Sequence, residues 1–156
     1  MRKTVSRFIM EKARADDRIV VIIGDVGFGM FEDFKRRYPS RFFNVGICEQ
    51  TMIGLAAGMA LEGYKPYVYT ITPFLIERPF EQIKLDVDQQ MANVKLLGYA
   101  EYPSDGVTHK ELNARGLMNL FPHVHSFFPD SVSELERVLD ETYHFDAPCF
   151  IRLTKC

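Results

Sequence analysis

The sequence predicts an α/β protein with three layers, a doubly wound, mainly parallel six-stranded sheet with helices on both faces. Three observations carry this. Six short, β-rich apolar runs are spread along the 156 residues, with helical patterns between them. The first run, Ile19-Val20-Val21-Ile22-Ile23, is continuous rather than alternating, as in strands buried on both faces. Strands of that kind alternating with helices imply a parallel sheet covered on each side.

In chain order, Val5, Phe8, Ile9 and Ala13 recur at helical spacing. The run 19–23 follows as a buried strand and ends in a glycine loop, Gly24-Asp25-Val26-Gly27-Phe28-Gly29. The second strand is 41–45. After it, Met52, Ile53, Leu55, Ala56, Ala57, Met59 and Ala60, with Gly54 and Gly58 between them, make a small-residue helix over 51–61 that packs close to its neighbours. Further strands fall at 67–71, 94–98, 124–128 and 149–153. The last helix is capped by Ser131 or Ser133. Glu134, three residues after Ser131, gives a capping-box arrangement, and Leu135, Val138 and Leu139 form the apolar stripe. No repeat, low-complexity tract or linker interrupts the chain, so 1–156 reads as a single domain.

Composition narrows the function. With 47% hydrophobic and 26% charged residues the chain can bury a core, and its net charge of −2 is made of interspersed signs. No polybasic patch points to nucleic acid or to a membrane surface, and both partners are discounted. No apolar run approaches the roughly 20 residues of a membrane span. Met1-Arg2-Lys3 leads into an amphipathic segment rather than a signal core, so a cytoplasmic location is expected. Cys48, Cys149 and Cys156 show neither paired spacing nor a zinc pattern, which fits reduced thiols. Cys48 adjoins Glu49 and could be a nucleophile, but a small buried residue lining a strand-to-helix turn is the better reading.

The glycine loop runs G-x-x-G-x-G rather than G-x-G-x-x-G, and no acidic residue follows a second strand at the required distance, which argues against a nicotinamide site. Asp25 lies where ligands collect in a parallel sheet, although a turn or cap role explains it equally well. Glu49 follows a short strand at the mouth of the small-residue helix. Helix electrostatics alone account for an acid there, at about 0.3 to 1 kcal/mol.

The string Phe42-Phe43-Asn44-Val45-Gly46-Ile47-Cys48-Glu49-Gln50 changes that balance. Together with Gly63-Tyr64-Lys65-Pro66, Thr72-Pro73-Phe74-Leu75 and Asp105-Gly106-Val107-Thr108-His109, it resembles the transketolases and 1-deoxyxylulose-5-phosphate synthases in order and near spacing. These are thiamine-diphosphate enzymes, and the chain resembles their pyrimidine-binding domain along its whole length. The resemblance implies the thiamine-diphosphate-binding fold and makes Glu49 the catalytic carboxyl. Its hydrogen bond to a ring nitrogen of the aminopyrimidine favours the tautomer that takes the thiazolium proton. Set among Ile47, Met52 and aromatic neighbours, such a carboxyl is desolvated and can share a proton at neutral pH.

By the same resemblance, Phe74 stacks on the aminopyrimidine and Phe80 is a second aromatic of that pocket. Asp25 is a cofactor-binding candidate, and Glu77 replaces a phenylalanine common in transketolases. His109 is the catalytic histidine at the substrate carbonyl or hydroxyl, and Asp105 meets the C2 hydroxyl. Arg2 and Lys155 fall where a sugar phosphate is bound. The serine and histidine expected beside them are replaced by Gly29 and by an apolar residue near Leu97, and a lysine gives up the bidentate fork of arginine. His123, His125 and His144 have no such context and read as structural or exposed.

The family's Gly-Asp-Gly and asparagine motif, which holds the diphosphate through Mg²⁺, is absent, since Gly24-Asp25-Val26 lacks the second glycine. The resemblance therefore implies that this chain supplies no metal ligand and that thiamine diphosphate and Mg²⁺ are held jointly with a diphosphate-binding transketolase subunit. It further implies a homodimer of this chain within a hetero-oligomer, inactive alone, with diphosphate-binding and C-terminal domains elsewhere. The expected reaction is transfer of a two-carbon ketol unit between sugars. A beta-type subunit of a 2-oxo acid dehydrogenase or a split decarboxylase would share Glu49 but not the loop from Asp105 to His109. A non-catalytic structural subunit would have no need of Glu49, Phe74 and His109 together.

Overall fold

The computed structural model describes residues 1–100 and 102–155. Helix α1 (Arg2–Lys12) buries Val5 and Ile9, and it leads to β1 (Ile19–Ile23), in which every residue is buried. Then follow α2 (Glu32–Arg37), β2 (Phe42–Asn44), α3 (Glu49–Leu61) and β3 (Lys65–Ile71). Beyond β3, α4 (Thr72–Ile76) and α5 (Phe80–Gln82) continue into a π-helical turn (Ile83–Asp88) and then β4 (Lys95–Tyr99). Two 3-10 turns (Pro103–Asp105 and Val107–His109), α6 (Ala114–Met118), β5 (His125–Phe127), α7 (Val132–His144) and β6 (Cys149–Leu153) complete the described chain.

The six strands form one sheet in the order β2-β1-β3-β4-β6-β5, and all five pairings are parallel. From β1 the chain winds outward to β2 and then crosses back over β1 to β3. Right-handed crossovers in opposite directions place the intervening helices on opposite faces. Accordingly Phe34 of α2 joins Val5, Ile9, Leu135 and Leu139 on one face, against Ile19, Val21 and Ile23. Met52, Ile53 and Ala56 of α3 join Leu75 and Ile83 on the other, against Ile22 and Val68. The two-residue period of the strands divides the core in this way.

Close packing sets where α4 lies. A Cβ on Gly98 of β4 would come within 2.8 Å of the Phe150 ring and 2.9 Å of Thr72 Oγ1, so only glycine lets β6 and the start of α4 approach there. The cap of α7 follows Ser131, whose Oγ accepts from the Glu134 backbone N–H at 3.1 Å. The return bond differs from a capping box, because the Glu134 carboxylate accepts from Asp130 N at 2.9 Å, one residue before the cap.

The amino end of the sheet is closed by charge. Asp16, 7% exposed, accepts from Arg18 N (3.1 Å), Nε (2.9 Å) and Nη2 (2.9 Å) and from the Tyr143 hydroxyl (3.2 Å), and Lys65 Nζ lies 3.0 Å away. The Arg18 hydrogen bonds hold its carboxyl far below the usual carboxylate range, against the opposing effect of burial. Lys95, 1% exposed, donates to Ala147 O at 2.8 Å and Phe145 O at 3.2 Å, and burial lowers its ammonium from the ordinary value. Cys149 beside it is fully buried and its thiol is pushed up to about 11 by that burial. Cys149 and Cys48 are both unpaired, and Cys156 lies outside the described residues. No helix of the described residues is long and apolar enough to cross a membrane.

Candidate active site

The carboxyl ends of β1, β2, β3 and β4 carry the loops that build the site, at the point where the winding reverses and a crevice opens in such sheets. The loop after β1 holds Asp25 at φ 54, a left-handed conformation rare outside glycine. It is held there by Asn44, the last residue of β2, whose Oδ1 accepts from Asp25 N at 3.1 Å and whose Nδ2 donates to Asp25 Oδ1 at 3.1 Å. The same Oδ1 accepts from Gly46 N at 3.0 Å, which fixes the turn leading to α3.

Glu49 is the first residue of α3 and is 3% exposed. Its surroundings are not the apolar cage the sequence implied. Arg78 Nη1 donates to Glu49 Oε1 at 2.7 Å, and the Arg78 guanidinium carbon lies 3.5 Å from the centroid of the Phe74 ring. Ile47, expected as a wall, is 68% exposed, and Cys48, expected to be buried, is exposed too, because the turn from Gly46 into α3 points both outward. Met52 is fully buried as expected.

Five of the predicted residues, Arg2, Asp25, Phe74, Asp105 and His109, line one cavity of about 300 Å³. Phe74 is 8% exposed, and its ring centroid lies 4.8 Å from that of His109. His109 Nδ1 is 3.1 Å from Thr108 Oγ1, which leaves Nε2 for a ligand. Asp105 is exposed and accepts from Ser104 Oγ at 3.1 Å. The loop carrying both is closed by a Tyr102 N–H bond to His109 O at 2.9 Å. Glu77, at the position of a family aromatic, accepts from Leu112 N at 3.0 Å and so ties α4 to the segment after His109.

Tyr69, Tyr99 and Tyr102 also line the cavity. Burial pushes the hydroxyls of Tyr69 and Tyr102 above the ordinary tyrosine value, so both are neutral donors at pH 7. Arg2 stands over Tyr99 at 5.2 Å, donates to Phe28 O at 3.0 Å, and keeps Nε buried without a hydrogen-bond partner. It also borders a neighbouring cavity of about 640 Å³ that includes Gly29.

Three predicted residues stand apart from the cavity. Phe80 packs on Phe121 with centroids 4.9 Å apart, against the α3-side core. Lys155 places its ammonium 4.1 Å over the Tyr102 ring and is not among the residues lining the cavity. Glu49 is joined to the cavity through Arg78 and Phe74. Leu97 is fully buried in the core and presents nothing to a ligand. Elsewhere, His123 N donates to Asp88 Oδ1 at 2.7 Å, and among the described residues no group of three or more His, Cys, Asp or Glu could hold a metal ion. Arg78, Asn44 and the three tyrosines escaped the sequence reading. Only the i, i+4 spacing of Phe74 and Arg78 was available as a signal for one of them.

Comparison with known proteins agrees with this geometry. Residues 1–156 match the family model for the transketolase pyrimidine binding domain. The chain is 35% identical over 152 residues to an apulose-4-phosphate transketolase subunit from Actinobacillus succinogenes, covering 96% of this chain and 49% of that protein. It is also 35% identical over 152 residues to the 1-deoxy-D-xylulose-5-phosphate synthase of Clostridium perfringens, covering 96% of this chain and 24% of that protein. The solved structure of a split gene transketolase, an inactive beta4 tetramer, superposes with a TM-score of 0.87 at 28% identity, over 99% of this chain and 51% of the other. Transketolase from Campylobacter jejuni shares the fold alone, with a TM-score of 0.87 at 15% identity over 99% of this chain and 25% of the other. The chain spans about half the length of the first curated relatives it matches. By family match, identity and fold together, this chain belongs to the transketolase family, as a pyrimidine-binding domain.

Proposed function

We propose that the chain is the pyrimidine-binding part of a split transketolase that moves a two-carbon ketol unit between sugars. The observation that carries this is the convergence of Glu49, Phe74, Asp105 and His109 on one rim of the sheet. An aminopyrimidine needs an aromatic wall for its face and a carboxyl oxygen for its ring nitrogen, and Phe74 and Glu49 fit both needs. Thiamine diphosphate supplies the carbon nucleophile and electron sink of such a reaction. Glu49 Oε1 is taken by Arg78, which leaves Oε2 to hold the proton at the ring nitrogen. His109 Nε2 holds or moves the proton at the substrate oxygen, and Asp105 orients a hydroxyl. Arg2, which lines both cavities, supplies the cationic group for an anionic end of the sugar.

Mg²⁺ and the diphosphate are held by a partner chain. The same rim supports this, since Phe28 (78% exposed), Ile47 (68%), Val107 (91%) and Leu112 (83%) follow the carboxyl ends of β1, β2 and β4. Large apolar side chains set around a polar site mark a surface for association. The A. succinogenes relative is named as a subunit, and the beta4 tetramer of the split gene transketolase is described as inactive. By analogy this chain pairs with copies of itself and gains activity only with the diphosphate-binding subunit. We place it in the cytoplasm, in keeping with unpaired Cys48 and Cys149.

The test is co-expression with candidate subunits that carry the Gly-Asp-Gly and asparagine pattern, followed by a ketol-transfer assay. The expected result is turnover by the wild-type complex and a loss of about 10³-fold on Glu49→Ala. Equal turnover by Glu49→Ala would overturn the reading.

A further inference from the structure

Resting on that reading, we propose that Arg78 is a positioning residue for both groups that meet the pyrimidine, fixing the Glu49 carboxylate through its Oε1 and backing one face of the Phe74 ring. Phe74 and Arg78 are four residues apart across the end of α4, so their side chains rise from the same side of one turn. From there the guanidinium reaches two targets at once, Glu49 Oε1 at 2.7 Å and the Phe74 centroid at 3.5 Å. Gln50 Nε2 donates to the Arg78 carbonyl at 3.2 Å, so consecutive residues of the first turn of α3 bind the side chain and the main chain of residue 78.

The chemistry of the two contacts explains why arginine is suited to the place. A glutamate side chain turns about three torsions, and a carboxylate that must meet a ring nitrogen has to be held in one of its rotamers. An N–H bond to Oε1 does this and leaves Oε2 outside that bond. The guanidinium is planar and its carbon lies 3.5 Å from the Phe74 centroid, so it backs that ring, while the His109 ring meets Phe74 in an edge contact at 4.8 Å. A lysine at 78 could meet Glu49 but could not supply the flat contact. Arg78 retains 32% side-chain exposure, whereas its partner retains 4%. The cation is the more exposed partner of the pair and the carboxylate the buried one.

Two other roles for Arg78 make different predictions. Were it only a link between α4 and α3, its loss would lower stability and leave cofactor binding alone. Were the guanidinium occupying the place of the pyrimidine itself, its loss would tighten cofactor binding. The experiment compares Arg78→Gln and Arg78→Lys in the complex with the diphosphate-binding subunit. It measures the thiamine diphosphate Kd by calorimetry, kcat by ketol transfer, and the circular dichroism band of the bound cofactor.

Positioning predicts that Arg78→Gln weakens the Kd about tenfold, lowers kcat about 10²-fold and alters the dichroism band, as displacement of a reacting group does. Arg78→Lys recovers most of kcat and little of the Kd. Unchanged Kd and kcat in both variants, or a tighter Kd, overturns the inference. A second readout uses the chain alone. The Glu49 carboxyl carbon resonance, assigned with Glu49→Gln, shifts in Arg78→Gln, and an unshifted resonance overturns the inference whatever the complex binds. A wild-type complex that binds no thiamine diphosphate defeats the proposed function instead, and the resonance still decides the role of Arg78.

Discussion

Asp16 at the amino end of the sheet and Glu49 at the carboxyl end are both buried acids beside an arginine, and they are treated differently. Asp16 receives three hydrogen bonds from Arg18 and one from Tyr143, with Lys65 3.0 Å away, so both of its oxygens are saturated. Among the described residues Glu49 has one side-chain partner, Arg78, on one oxygen. A buried carboxylate with every lone pair satisfied is a structural joint, whose loss leaves uncompensated charge. A buried carboxylate with one oxygen left over is available for chemistry. The contrast separates the end of the sheet that holds the fold from the end that works.

The contrast can be broken at either end. The largest effect is expected from Glu49→Gln, which should cost the reconstituted complex about 10³-fold in turnover, some 4 kcal/mol of barrier, while the melting of the isolated chain barely moves. Asp16→Asn should do the reverse, destabilising the chain by about 3 kcal/mol in urea titration without changing thiamine diphosphate affinity of the complex. That loss depends on pH in a fixed direction. The folded state holds the Asp16 carboxyl below the ordinary value of 3.8, so its stabilisation is complete above that value and is lost as pH falls through the folded one. The gap between wild type and Asp16→Asn should therefore be constant near neutrality and close on acidification.

Smaller effects sharpen the comparison. Gly98→Ala forces a Cβ against Phe150 and Thr72 and should cost about 1–3 kcal/mol in the same titration, with a weakened cofactor Kd because α4 carries Phe74. Ser131→Ala removes the cap of α7, which starts beyond the edge strand β5, and should cost about 1 kcal/mol with no change at the site.

The strands were legible because a strand buried on both faces writes an unbroken apolar run, as in 19–23, or one broken by a single charge, as in 149–153. Cap chemistry is equally local, and Ser131 could be read from its neighbours. Strand order was not legible, since nothing in a run such as 94–98 says which partner it takes. The site divides in the same way. Glu49, Phe74 and His109 sit in contiguous motifs, whereas the bond from Arg78 to Glu49 spans 29 positions and two elements. Arg78 lies between Glu77 and Pro79, in a polar stretch that looks like any loop. Ile47 and Cys48 were misplaced because hydrophobicity says that a residue belongs against something, not whether that surface is in its own chain.

Asn44 has a mechanical consequence. Its one amide closes hydrogen bonds to Asp25 on the loop after β1 and to Gly46 on the turn before Glu49. The two loops thereby share one anchor at the end of β2, so the loop that carries Asp25 and the turn that leads into Glu49 are braced by the same side chain.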